Sequence, residues 1–243
     1  MARRGYPVGD WGELLPGGAV LLTDDNVLVV ADLHLGCEAA LEYEGLSLPR
    51  VQTGKLTQYM SELIVDLQPS KVVVAGDLKH NFSRNLQQEW QDVRSFVALL
   101  EDMAPLEVVK GNHDNYLGLI LRECGAKLRF LEVFQGKVRI VHGHKGERTN
   151  GPTVMGHIHP SIRLMDDVGA SVKDHCFLYD GEHEILVLPA LSIVAPGMDI
   201  IGQREADTAS PMFSDIGLSS FVPILFSREK PLKFPTVREL RQI

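Results

Sequence analysis

The sequence predicts an α/β fold in which two β-sheets pack together within one domain spanning residues 1–243. Three observations carry the prediction. Short Val-, Ile- and Leu-rich runs alternate with amphipathic stretches in the first half; short strand-like runs with few helical patterns fill the second; and neither an internal repeat nor a low-complexity linker divides the chain.

The elements follow in order. Asn26-Val-Leu-Val-Val-Ala31 and Lys71-Val-Val-Val-Ala75 read as buried strands, and Leu106–Lys110, after Pro105 and before Gly111, reads as a third. Between the first two lies a helix opened by Pro49, with Leu56, Met60, Leu63, Ile64 and Leu67 on one face, ending before Pro69. Gln87 to Glu101, with Trp90, Val93, Phe96, Val97 and Leu100 in phase, is a second helix. Tyr116 to Cys124, closed by Gly125, is a third. Strand and helix in alternation imply a sheet with crossover helices. Lys127–Val133, Lys137–Val141, Thr153–Met155, Ser161–Leu164, Cys176–Tyr179 and Glu184–Leu188 are expected to meander through a second sheet. Residues 202–216 read as a polar loop before a last apolar run, Phe221–Phe226.

The chain has 243 residues, 24 Lys plus Arg against 32 Asp plus Glu, and 44% apolar residues. That length supports a full core and excludes a disulfide-stapled miniprotein or a disordered chain. A net charge of −8 argues against coating duplex nucleic acid through a basic surface. Cys37, Cys124 and Cys176 are isolated and odd in number, which suits reduced thiols in the cytoplasm. The start, Met-Ala-Arg-Arg-Gly-Tyr-Pro, lacks the apolar segment of a secretory signal, and no stretch is long and apolar enough for a membrane span. A cytoplasmic protein without membrane contact is the expectation.

Nine histidines against three cysteines direct attention to nitrogen and oxygen ligation of a metal. Nearly every apolar run stops at a polar motif. Asp32-Leu33-His34 ends the first strand; two residues apart in extended chain, carboxylate and imidazole point to one side, although an ordinary turn also has this form. Gly76-Asp77-Leu78-Lys79-His80 ends the second, where Asp77 could equally cap a turn or helix. Gly111-Asn112-His113-Asp114 ends the third, at the carboxyl edge where open α/β sheets bind ligands, with an N-cap ahead of the Tyr116 helix as the alternative. His142-Gly143-His144 and Gly156-His157-Ile158-His159-Pro160 follow two of the later runs. Specificity lies in the conjunction, because core histidines spread by chance would not collect at strand ends. The set favours a two-metal site of Asp, Asn and His, suited to manganese, iron or zinc better than to calcium or magnesium.

In that order the five motifs resemble the calcineurin-like metallophosphoesterase superfamily, over residues 27 to about 160. Ala31-Asp-Leu-His-Leu-Gly36, Leu48-Pro49 and Leu188-Pro-Ala190 are similar to its compact branch of Mre11/SbcD-like proteins, which includes the ligase-associated phosphoesterases. The resemblance implies a four-layer α/β/β/α sandwich with two mixed β-sheets, the metallo-dependent phosphatase-like fold. It implies two divalent ions, Mn2+ foremost with Fe2+, Zn2+ or Ni2+ as alternatives. Asp32, His34 and His159 would hold the first, Asn112, His142 and His157 the second, and Asp77 would bridge both. His113 would face the substrate as general acid, beside Asp114; His80 would help to place the phosphate; His144 would line the site.

The implied activity is hydrolysis of nucleotide or nucleic-acid phosphodiesters by hydroxide generated between the two metals. A phosphomonoesterase on small nucleotides is the enzymatic alternative. A scaffold subunit of a DNA-processing complex is the non-enzymatic one, disfavoured because every ligand position is filled. Lys79, Arg84, Lys145 and Arg148 lie near the motif loops and could meet phosphate groups or remain solvated surface charges. The tail after residue 227, with Arg228, Lys230, Lys233, Arg238 and Arg241 against Glu229 and Glu239, could touch nucleic acid. Oligomeric state is open, a homodimer included.

Overall fold

The computed structural model describes residues 5–46, 48–82, 87–165, 168–202, 209–227 and 229–242. Three short strands, β1 (Tyr6–Val8), β2 (Gly12–Leu15) and β3 (Ala19–Leu22), meander antiparallel into β4 (Val27–Val30). Helices α1 (Cys37–Tyr43) and α2 (Gln52–Leu67) lead to β5 (Lys71–Val74), α3 (Gln87–Met103) to β6 (Leu106–Val109), and α4 (Leu117–Cys124) to β7 (Lys127–Arg129). β4 to β7 are parallel, so the first sheet is mixed, in the order β1-β2-β3-β4-β5-β6-β7. The three predicted strands and three predicted helices are all present.

The remaining elements are β8 (Glu132–Gln135), β9 (Val138–Val141), β10 (Thr153–Met155), β11 (Pro160–Met165), β12 (Ser171–His175), β13 (Phe177–Asp180), β14 (Ile185–Val187), β15 (Met198–Asp199), β16 (Val222–Ser227), β17 (Lys230–Lys233) and α5 (Val237–Leu240). The second sheet runs β17-β16-β13-β14-β10-β9-β8. It is mixed rather than a meander, since β10 pairs parallel with both β9 and β14. Two further expectations are corrected here. The run Lys127–Val133 is two strands, β7 on the edge of the first sheet and β8 on the edge of the second, so the chain changes sheets at Phe130 and Leu131. The Ser161–Leu164 run belongs to a third, three-stranded sheet with β12 and β15.

Alternation along the central strands explains the layers, because successive side chains leave a strand on opposite faces. Leu28, Val30, Val72 and Val74 pack under Leu56, Met60, Val93, Phe96 and Leu100 of α2 and α3. Val27, Val29 and Val73 turn the other way, onto Ile140, Val154, Phe177 and Leu186 of the second sheet. The outer face of that sheet, including Val141, Met155, Ile185 and Val187, is covered by Met212, Phe213, Phe221 and Val237. The result is helices, sheet, sheet and a thin outer layer in which α5 and one turn of 3-10 helix (Pro211–Phe213) take part.

Of the expected loop 202–216, residues 203–208 lie outside the described residues. Pro211–Phe213 departs from it because Met212 and Phe213 are buried, and the Ser210 hydroxyl accepts from the Met212 N–H at 3.1 Å. The basic tail is also structured. Arg228 lies outside the described residues, β17 pairs antiparallel with β16, and a Thr236–Glu239 capping box starts α5.

Candidate metal centre

The five motifs converge where the carboxyl ends of β4, β5, β6, β9 and β10 meet between the two sheets. Parallel pairing of β4 with β5 brings their following loops side by side, and backbone bonds join them: Asp32 N–H to the Gly76 carbonyl (3.0 Å) and His34 N–H to the Asp77 carbonyl (3.0 Å). Gly156 N–H donates to the His142 carbonyl at 3.2 Å across the second sheet. The loop after β14 closes the centre from behind, with Leu191 N–H on the Ala31 carbonyl (3.0 Å) and Ser192 N–H on the Asp32 carbonyl (3.1 Å).

The side chains do not converge through extended-chain alternation, as the spacing suggests. Asp32, His34, Asp77, His157 and His159 all have left-handed backbone, with φ of 55°, 46°, 51°, 73° and 48°. Left-handed residues, alternating with others at Asp32 and His34 and at His157 and His159, turn the loops at the strand ends and bring carboxylates and imidazoles together. Such φ is uncommon outside glycine and concentrates at functional sites. Gly111 and Gly156 make room for it: a Cβ on Gly111 would stand 2.0 Å from Asp77 Oδ1, and one on Gly156 2.6 Å from Asp32 Oδ2.

Distances test whether the residues suit metal ions. Two donors ~2.1 Å from one ion stand about 3.0–3.4 Å apart at angles from square to tetrahedral. His34 Nε2 and His159 Nε2 are 3.2 Å apart, and His159 Nε2 is 3.4 Å from Asp32 Oδ1. On the other side His142 Nε2 lies 3.0 Å from Asn112 Oδ1 and 3.4 Å from Asp77 Oδ2. Asp77 Oδ2 also lies 3.9 Å from His34 Nε2, so this one oxygen stands between the two groups. Asp32 Oδ1 is buried without a hydrogen-bond partner, whereas Asp32 Oδ2 accepts from His157 N–H at 2.8 Å. His142 Nδ1–H donates to the Ala75 carbonyl at 3.0 Å, which leaves the Nε2 lone pair of the neutral ring for a ligand bond. The His157 ring stands against His142, with centroids 5.0 Å apart. Orphaned carboxylate oxygen, converging Nε2 atoms and matching spacings fit divalent cations. Ligand atoms of Asp32, Asp77 and His142 fall within 4.8 Å of one another, as do those of Asp32, His34 and His159 and those of His34, His80 and His113.

The electrostatics of the centre are set by burial and by the mutual contacts of its carboxylates and imidazoles. Burial would push Asp32 and Asp77 up, but His159 and His142 beside Asp32, and His142 and His34 beside Asp77, hold both carboxyls below their usual range. Burial pulls His142 down, yet its contacts with Asp77 and Asp32 carry it up to about 9. Burial dominates at His34, lowered to about 3, and at His157 and His144, each lowered to about 4. Those three rings are neutral at physiological pH, the form that ligates metal.

The other predicted residues divide. His113 presents Nε2 to Asp77 Oδ2 at 4.0 Å, and its own N–H donates to Asp77 Oδ1 at 2.9 Å. Its ring Nδ1 meets the His80 carbonyl, not Asp114. Asp114 is instead buried, accepting Gly111 N–H (2.8 Å) and Lys79 N–H (3.2 Å), and burial with the Asp77 charge raises it to about 6. It ties two motif loops together and caps nothing; the N-cap of α4 is Tyr116, without a side-chain bond. The His80 ring stacks on His113 with centroids 5.7 Å apart, and His144 stands 5.1 Å from His142. Lys145 lines a cavity with Asn112 and His144. Arg148 points away, paired with Asp215 at 2.5 Å. Lys79 is buried against Glu89 at 3.9 Å and has no free charge to offer a phosphate. Arg84 lies outside the described residues.

Sequence reasoning missed Gln52 and Ser192. Gln52 Nε2 donates to the His34 carbonyl at 2.8 Å, and the Ser192 hydroxyl donates to Gln52 Oε1 at 2.7 Å, so a buried chain of two side chains fixes the Asp32–His34 loop. A buried glutamine on the first turn of an amphipathic helix is the only signal that could have pointed there.

The family model described as Calcineurin-like phosphoesterase matches residues 26–185, more than half of the chain. The chain belongs to that family, and it is a metal-dependent phosphoester hydrolase with the metallo-dependent phosphatase fold. The structure is similar to the Pseudomonas putida nuclease MPE, with a TM-score of 0.67 and 18% identity over 91% of this chain and 94% of that one. The YfcE phosphoesterase from E. coli matches with a TM-score of 0.41 and 16% identity, over 86% of this chain and 97% of that one. A search of curated proteins found no significant match.

Proposed function

We propose that this chain, one domain over residues 1–243, is a dinuclear-metal phosphodiesterase acting on nucleotide or nucleic-acid phosphodiesters. The observation that carries the reading is the position of Asp77 Oδ2, 3.4 Å from His142 Nε2 and 3.9 Å from His34 Nε2, between two separate groups of donors. Asp32, His34 and His159 would hold one ion, Asn112, His142 and His157 the other, and Asp77 would serve both. Mn2+ suits this oxygen and imidazole set, with Fe2+, Zn2+ or Ni2+ as alternatives. When bound, divalent ions would supply Lewis acidity, acidifying water and offsetting charge on phosphoryl oxygens.

The chain's own residues do the rest. Asp32 and Asp77 are the only carboxylates in the ligand set, and Asn112 contributes a neutral oxygen, so the loaded centre keeps net positive charge for an anionic substrate. His113, held through Nδ1 by the His80 carbonyl, directs Nε2 at the centre and donates the proton that the leaving oxygen needs. Asp114, through Gly111 and Lys79, positions the loop that carries His113. Ala31–Gly36 and the Leu188-Pro189-Ala190 segment, which delivers the Leu191 and Ser192 bonds, support placement in the Mre11/SbcD-related branch. The printed name of the P. putida neighbour, a nuclease, agrees with diester cleavage. Three free cysteines support a cytoplasmic location, and among the described residues no helix is long and apolar enough to cross a membrane.

Turnover of bis-aryl and mono-aryl phosphates by the Mn2+-loaded protein tests the reading. Diester hydrolysis in excess of monoester hydrolysis is expected. The reverse preference would make the chain a phosphomonoesterase, and no turnover of either would leave a binding module.

A further inference from the structure

Beside the metal centre lies a cavity of about 470 Å3 whose lining is chemically divided. Asn112 and His144, residues of the centre itself, share its lining with Phe82, Phe130 and Leu131 and with Lys110 and Lys145. A smaller cavity of about 110 Å3 shares Phe130, Leu131, His144 and Lys145 with it and is also lined by His142. Phe82, Phe130 and Leu131 are 56%, 73% and 67% exposed. Phe130 and Leu131 occupy the segment where the chain passes from the first sheet to the second, and neither belongs to a buried core cluster. Phe82 stands edge to face with His113, ring centroids 6.2 Å apart. Neither lysine is paired with a carboxylate among the described residues.

A wholly apolar occupant would leave two ammonium groups without counter-charge, and inorganic phosphate alone would leave two phenyl rings unused. An unpaired nucleobase joined to its phosphate satisfies both, since bases stack on exposed aromatic rings and neighbouring phosphates meet lysine. The volume falls in the range of small-ligand sites. We infer that Phe82 and Phe130 form a stacking subsite for an unpaired nucleobase next to the scissile phosphate, with Lys110 and Lys145 on the adjoining phosphate. This rests on the phosphodiesterase reading and gives it a substrate: single-stranded nucleic acid, whose bases are free to leave their neighbours, and not intact duplex.

The test compares the Mn2+-loaded protein on a single-stranded dinucleotide and on the same diester bearing an abasic sugar, each in deoxy and ribo form. Phe130→Ala is expected to lower the preference for the base-bearing substrate about tenfold, on either sugar, with recovery in Phe130→Tyr. An unchanged preference overturns the subsite. A second arm titrates a 2-aminopurine dinucleotide into the protein in chelator, where no turnover is needed. Fluorescence quenching that weakens about tenfold in the Phe82→Ala/Phe130→Ala double variant supports the subsite, and equal quenching overturns it. Absence of diester turnover with intact quenching would therefore count against the catalytic reading alone.

Discussion

His34 Nε2 and His159 Nε2 face each other at 3.2 Å from opposite sheets, one after β4 and the other after β10. A cation between them would satisfy both lone pairs. The two sheets are therefore coupled through the centre, and cation binding should stabilise the whole fold. Mn2+ at ~100 times its dissociation constant should add about 2.7 kcal/mol and raise Tm, an increment that chelator abolishes. In His159→Ala the Mn2+-induced rise should shrink clearly; an undiminished rise would remove His159 from the ligand set.

Asp77 shares one carboxylate oxygen between both groups of donors. Asp77→Asn should lower metal content at both sites, where His157→Ala should lower it at one only. Elemental analysis of the purified proteins measures this, and equal losses in the two variants would contradict the bridging role.

His113 contacts Asp77 from the side and is outside the seven proposed ligands. His113→Ala should retain metal and lose about 10²–10⁴ in kcat on an alkyl-leaving diester, with much less loss on an activated aryl diester that needs no proton. Comparable losses on both substrates would rule out proton donation by His113.

His142 is raised to about 9 in the metal-free fold by Asp77 and Asp32, against the pull of its burial. A raised histidine contributes stability that is fully present below its unfolded value of roughly 6.5 and is lost as pH climbs through about 9. Metal must displace that proton, so affinity should rise with pH across the same window and binding should release protons. Calorimetry in buffers of different ionisation enthalpy reports the count, and pH-independent affinity between pH 7 and 9 would contradict it.

Gln52 is buried and bonds the His34 carbonyl and the Ser192 hydroxyl. Gln52→Ala should destabilise by about 1–3 kcal/mol, the range for stranding buried polar partners, and should weaken metal binding through the loosened His34 loop. Urea unfolding with and without Mn2+ separates the two effects.

The central strands and their terminal motifs are legible because buried parallel strands are continuous apolar runs, and the polar residues that end them gather at the candidate centre. β1 to β3 escape notice because they are only three or four residues long and separated by tight turns. β12 escapes because Ser171–His175 is polar and almost wholly exposed, held by pairing with β11. The change of sheet at Phe130 is hidden inside one strand-like run, since periodicity records which residues favour strands and not which sheet receives them. Which motifs gather at the candidate centre is readable while the backbone that gathers them is not, because left-handed φ at Asp32, His34, Asp77, His157 and His159 has no sequence signal of its own.

Anomalous diffraction from Mn2+-soaked crystals tests the central claim most directly. Two peaks are expected on either side of Asp77, one among Asp32, His34 and His159 and one among Asn112, His142 and His157. A single peak, or one seated among His34, His80 and His113, would contradict the dinuclear assignment.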